Sequence, residues 1–110
     1  MQNKKSQYVV SPRASLKEAL ALIDQNAHRS LIVVGEGGIV VGTLSDGDVR
    51  KALLDGHLLE TPVGDVMNTN FVSLRPEKTS EAKALFERHR IFLIPVVSAD
   101  GKLKDVLEAY

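Results

Sequence analysis

The chain has no cysteine, which excludes disulfides, thiolate nucleophiles and cysteine-ligated zinc. Aromatic residues make up only 5% of its 110 residues, too few for the stacking platforms that hold single-stranded nucleic acid. No charge of one sign is in excess. Lys plus Arg and Asp plus Glu number 14 each, so no global field draws the chain to nucleic acid or to an anionic membrane. No apolar run nears the roughly 18–20 residues of a membrane-spanning helix. The opening MQNKKSQYVV also lacks the apolar stretch of a signal peptide. The expected setting is cytoplasmic, with neither nucleic acid nor membrane as a partner.

What is present is pattern. QYVV reads as a short strand stopped by Ser11-Pro12. From Ser15 the spacing turns helical, with Leu16, Ala19, Leu20, Ile23 and Ala27 three and four apart behind a serine cap and Glu18. SLIVV is a buried strand, GEGG a hairpin turn and IVVGTLS the returning strand. A second helix follows from Asp46 to Asp55, closed by Gly56.

The same order then recurs. NFVSLRP reads as a short strand, Ser80 to Arg90 as a helix, FLIPVV as a strand, SADGK as a turn and LKDVLEAY as the returning strand. An offset of 63 aligns Glu18-Ala19 with Glu81-Ala82, Val33-Val34 with Val96-Val97 and Gly38 with Gly101. Pro12 and Pro76 are 64 apart, so one residue slips in upstream of the second helix. Residues 1–60 and 61–110 are therefore read as two copies of one β-α-β-β-α unit, the second entered through a connector with a helical turn at Pro62 and lacking its last helix. The fold class is α+β. Each copy is too small to survive alone, so the two are expected to dock through their sheets as a pseudo-twofold pair with a cleft between them. An end in mid-repeat favours a segment of a longer protein.

The chemistry concentrates in Gly42-Thr43-Leu44-Ser45-Asp46-Gly47-Asp48. Ser-x-x-Asp before a helix is a capping box. It also places hydroxyl, carboxylate and free backbone N–H groups where a phosphate and a pair of hydroxyls could be held. A calcium loop needs five to seven oxygen ligands over about 12 residues, whereas here the acidic run stops at Asp48, so no metal is expected. His28, His57 and His89 are too scattered for a ligand set, and no nucleophile–base pair stands at a recognisable spacing. No catalytic residue is assigned, and the chain is read as not being an enzyme. Arg88-His89-Arg90 reads as a solvated helix end that complements the macrodipole.

These residues resemble a tandem pair of CBS domains, the modules named after cystathionine β-synthase. The resemblance runs from about Val9 to Tyr110 and is carried by SLKEALALI with SLIVV, GTLSDGDVRKAL, PVGDVM and FLIPVV. It implies a regulatory module that senses an adenine nucleotide (AMP, ADP, ATP or a related adenosyl ligand) and requires no resident cofactor. It places phosphate on Ser45 and the ribose hydroxyls on Asp48, with Asp46, Arg29, Ser30 and Ser11 as further contacts. The second copy departs from the signature, with Asp105 at the place of Gly42 and Glu108 at the place of Ser45. A glutamate there repels phosphate, so one nucleotide per chain is expected. The wording is similar to CBS pairs attached to sugar nucleotidyltransferases or sugar-phosphate isomerases, which makes such an enzyme the expected fused or associated partner. A homodimer is expected, with Val49, Leu53 and Leu54 as a contact face. The rival reading is a structural dimerisation module whose nucleotide site has decayed.

Overall fold

The structure, a computed structural model, describes residues 4–110; the first three residues of the opening segment lie outside the described residues. Lys4–Tyr8 winds into a 3-10 turn, so the strand expected over QYVV shrinks to β1 (Val9–Val10). Helix α1 (Leu16–Gln25) opens on a reciprocal capping box. The Ser15 hydroxyl accepts from the Glu18 backbone N–H, and the Glu18 carboxylate accepts from the Ser15 N–H. Its apolar spacing buries Leu16, Ala19 and Ile23. Ala27, read as part of that stripe, lies beyond the helix, exposed and at a φ of 24°.

Strand β2 (Ser30–Val34) pairs parallel to β1 and antiparallel to β3 (Val40–Ser45), giving a three-stranded sheet in the order β1-β2-β3. Helix α2 (Asp46–Leu54) follows directly, and Gly56 turns the chain away at a φ of 101°. The connector makes the expected turn at Val63–Asp65, after Pro62.

The second copy is a looser rendering of the first. A 3-10 stretch over Pro76–Glu81 delays helix α3 to Ala82–His89, later than the expected start at Ser80. Strands β4 (Leu93–Val97) and β5 (Leu103–Glu108) form an antiparallel pair. NFVSLRP does not form a strand. Only Leu74 bridges, parallel to Val96, donating its N–H to the Pro95 carbonyl and accepting from Val97 N–H. Leu74 is the sole fully buried residue between Asn70 and Pro76, and Phe71 packs half-buried against the core between the copies.

Both antiparallel pairs carry a register shift at the same repeat position, between Val33 and Val34 and between Val96 and Val97. Pro95 within β4 would by itself account for a bulge in the second copy. Ile32 holds the matching place in the first with the same shift, so the bulge belongs to the repeat and not to proline.

Strand β2 is buried on both faces, which explains why SLIVV reads as a continuous apolar run. Leu31 and Val33 pack with Leu16, Ala19, Ile23, Leu44 and Val49 beneath the helices. Ile32 faces the other way, joining Tyr8 and Val40 to Leu93 and Val106 of the second copy. The two copies thus dock through their sheets. Val49, expected on an exposed face, is fully buried, because the helical period turns it inward with Ala52. Leu54 is left 87% exposed, with Leu53 at the margin. No helix among the described residues is long and apolar enough to cross a membrane.

Candidate functional site

Docking the sheets leaves a cleft of about 510 Å³ between the copies. Its first wall is the β3–α2 junction. There Ser45 is the N-cap of α2, its hydroxyl accepting from the Asp48 N–H at 3.1 Å while Asp48 Oδ2 accepts from the Ser45 N–H at 2.9 Å. A carboxylate offers about four lone-pair directions, and this cap uses one. Among the described residues nothing hydrogen-bonds Asp48 Oδ1. Asp46 is engaged differently: its carboxylate accepts from Arg50 at 3.0 Å, and its N–H donates to the Arg29 carbonyl.

Arg29 and Ser30 bring the start of β2 to the same place, since Ser30 is the register partner of Ser45. The turn before them is built by Asn26, buried at the end of α1. Its Oδ1 accepts from the N–H groups of His28 and Arg29, and its Nδ2 donates to the carbonyls of Ser30 and Gln7. Arg29 is held there at a φ of 55°, a left-handed value uncommon outside glycine. The sequence reading passed over Asn26; its place at a helix end, where asparagine serves as a cap, was the available signal.

Arg29, Ser30, Ser45, Asp46 and Asp48 all line the cleft, whereas Ser11 does not. The reason is topological. Strands β1 and β2 run parallel with Val10 beside Val33, so the loop after β1 leaves at the far end of β2 from Ser30. Ser11 sits there exposed, its hydroxyl accepting from the Arg13 N–H.

The second wall comes from the second copy and includes Asn68, Asn70, Val72, His89, Arg90, Ile91, Phe92 and Leu93. Most of these were not singled out from sequence, yet the repeat offset points to them: Phe92 and Leu93 stand 63 positions after Arg29 and Ser30. Arg90, read as solvated, is the left-handed cap of α3, at a φ of 52°, and lines the cleft. Among the described residues the guanidinium groups of Arg29 and Arg90 have no carboxylate partner, whereas Arg50 pairs with Asp46. The cleft therefore offers two uncommitted cations, a carboxylate with spare acceptor capacity, a helix N-terminus and a half-exposed phenyl ring. That set suits a ligand with an anionic group, paired hydroxyls and a flat apolar part.

Two glycines of the motif differ in role. A Cβ on Gly42 would lie 2.8 Å from Met67 Sδ and 2.9 Å from the Asn68 carbonyl, so this glycine lets the connector cross β3. Thr43 and Asn68 exchange backbone hydrogen bonds at that crossing. Gly47 has helical neighbours and no left-handed φ, and a Cβ there would meet only ordinary contacts at 3.8 Å. The backbone does not require glycine at this exposed point of the cleft. Among the described residues no group of three or more His, Asp or Glu could hold a metal ion.

Comparison with known proteins agrees with this architecture. The CBS domain family model matches residues 4–55 and 63–109. An uncharacterized protein of Helicobacter pylori is 35% identical over 93% of this chain and 32% of its own length. The arabinose 5-phosphate isomerase GutQ of Salmonella typhi is 32% identical over 81% of this chain and 28% of its own length. The chain thus spans about a third of the length of these curated relatives. The crystal structure of CBSX2 in complex with AMP, a CBS-pair protein from Arabidopsis thaliana, superposes with a TM-score of 0.77 at 27% identity, covering 98% of this chain and 85% of CBSX2. The duplicated α+β unit, the sheet-to-sheet docking and the family match together establish that the chain belongs to the CBS domain family, as a tandem pair.

Proposed function

We propose that this CBS pair is a regulatory module that binds one adenine nucleotide in the cleft between its copies and transmits occupancy to an attached or associated enzyme. The observation that carries the reading is the meeting of Ser45 and Asp48 from one copy with Arg90 and Phe92 from the other around a single cleft. In this reading Asp48 receives the ribose hydroxyls, Ser45 and the α2 N-terminus receive phosphate with Arg29 and Arg90, and Ser30 and Phe92 border the base. Asp46 acts by holding Arg50 at the rim. A volume of about 510 Å³ falls within the usual range for a small-molecule site. The relative CBSX2, crystallised with AMP, supports an adenine nucleotide as the ligand class.

A ligand touching both copies can change how they pack, and that is how binding would reach a partner. GutQ, much longer than the matched segment, supports a sugar-phosphate isomerase as the kind of enzyme regulated. A sugar nucleotidyltransferase is the alternative partner. The module itself contributes no catalytic group, and copies of it pair through the exposed leucines of α2.

Thermal denaturation with AMP, ADP and ATP tests the reading. Ligand at 100 times its Kd stabilises a one-site protein by about 2.7 kcal/mol. A shift seen with the wild type and lost in Asp48→Ala is the expected result. No shift with any of the three leaves the purely structural dimerisation module as the better account.

A further inference from the structure

His28 sits at the seam between the copies, only 5% exposed, with both ring nitrogens engaged. Nε2 lies 2.9 Å from the main-chain oxygen of Tyr110, which can only accept, so Nε2 carries a proton. Nδ1 lies 3.1 Å from the Tyr8 hydroxyl, and that hydroxyl also reaches Glu108 Oε2 at 3.2 Å. Tyr8 is itself buried and has one proton to offer these two acceptors. When it donates to the Glu108 carboxylate, Nδ1 must donate to the Tyr8 oxygen, and His28 is an imidazolium. When His28 is neutral, Tyr8 donates to Nδ1 and its bond to Glu108 is lost. The titratable and charged groups that touch the ring among the described residues are Tyr8 from the opening turn, Glu108 at 4.0 Å from the end of β5, and Tyr110 just beyond it. Arg29 adjoins His28 within its own turn.

We propose that His28 is a proton-gated clasp between the two copies. Tyr8 and His28 belong to the first copy and Glu108 to the second. Charged, His28 leaves the Tyr8 proton to Glu108, and the hydroxyl spans the seam. As pH rises, the ring releases one proton to solvent and the Tyr8 proton turns to Nδ1. The seam then loses this hydrogen bond together with the attraction between the imidazolium and Glu108. Acidification through the range in which histidine changes charge therefore tightens the contact between the copies. Arg29, the next residue, lines the open cleft, so the clasp lies one residue from that wall. The inference rests on side-chain geometry and does not depend on what the open cleft binds.

Carbon-13 NMR of the ligand-free protein from about pH 5 to 8 tests it, following the His28 ring, Tyr8 Cζ and Glu108 Cδ in one titration. The three are expected to inflect at a common midpoint in the wild type. In His28→Gln, Tyr8 and Glu108 stay flat over the same range. In Tyr8→Phe, His28 still titrates but the Glu108 displacement shrinks, because the hydroxyl no longer relays it. Glu108→Gln is the second variant, there if Tyr8→Phe does not fold: without the carboxylate, the His28 titration moves to lower pH. A wild type in which Tyr8 or Glu108 stays flat while His28 titrates overturns the proposal, as does a His28 that does not titrate in this range. So does an undiminished Glu108 displacement in Tyr8→Phe, or an unmoved His28 midpoint in Glu108→Gln. No nucleotide is present, so failure here and failure of the nucleotide reading are seen separately.

Discussion

The Ser45 hydroxyl accepts a hydrogen bond from the Asp48 backbone, and the Asp48 carboxylate accepts one from the Ser45 backbone. The cap of α2 and the candidate ligand contacts are therefore the same two side chains. Substitutions can separate the roles. Asp48→Ala removes the ribose contact and the carboxylate half of the box, while the Ser45 hydroxyl keeps its bond from the backbone N–H of position 48; it is expected to cost about 1 kcal/mol in urea denaturation and to abolish the nucleotide-dependent thermal shift. Asp48→Asn keeps one carbonyl oxygen for the cap but loses the second acceptor, so stability is largely kept and the shift is still lost. An Asp48→Asn chain with undiminished nucleotide binding would remove the ribose role.

Gly42 and Gly47 should respond in opposite directions. Alanine at position 42 meets the Asn68 carbonyl, which the bond from Thr43 holds in place, and overpacking of this kind costs about 1–3 kcal/mol. Alanine at position 47 fits and gains helix propensity of up to about 1 kcal/mol. Thermal melts of the two variants give the comparison. Weakened nucleotide binding in the more stable Gly47→Ala would show that this glycine serves the ligand and not the fold.

The turn before β5 holds a titration signal unrelated to the cleft. The Ser98 hydroxyl donates to the Asp100 carboxylate and is the main cause that holds its pKa below the ordinary aspartate range, with Lys102 and Lys104 adding smaller attractions. A carboxyl depressed in the folded state contributes stability that is present above its unfolded value, near 3.9, and is lost as pH falls through the folded value. NMR titration should show the Asp100 midpoint moving up in Ser98→Ala. The stability difference between that variant and the wild type should fade at acid pH.

Leu54 gives the test of association. At 87% exposure it contributes little to the fold, so Leu54→Glu should leave the melting free energy within about 0.5 kcal/mol. If chains pair through α2, sedimentation velocity will show the wild type as a dimer and this variant shifted toward monomer. A wild type that is monomeric at all concentrations rejects the pairing.

The repeat was legible because both copies keep the apolar alternation of their strands, and a fixed offset survives even where side chains differ. Ser15 and Ser45 announced their helices because a cap is a local device read over four residues. What stayed hidden was non-local. Leu74 alone bridges the edge of the second sheet, a fact set by what packs over it and not by its neighbours in sequence. Val49 looked available for a partner until the docking of α1 covered it. Ser11 was placed at the cleft by resemblance, and the parallel pairing of β1 with β2 carries it to the opposite end. Arg90 looked like any basic residue at a helix end. Only the approach of the second copy to the first brings it into the same cleft as Asp48.

Helix α3 carries no fully buried side chain, whereas α1 buries three. Segments with few buried apolar contacts open first in the native state, independently of global unfolding, so the amides of α3 should exchange with deuterium ahead of those of α1. The same helix ends on Arg90, a wall of the cleft. A molecule bridging Asp48 and Arg90 would have to close this opening in order to bind, and part of its affinity would be spent on quieting α3. Exchange slowed in α3 and unchanged in α1 would register occupancy in the half of the protein without the intact motif.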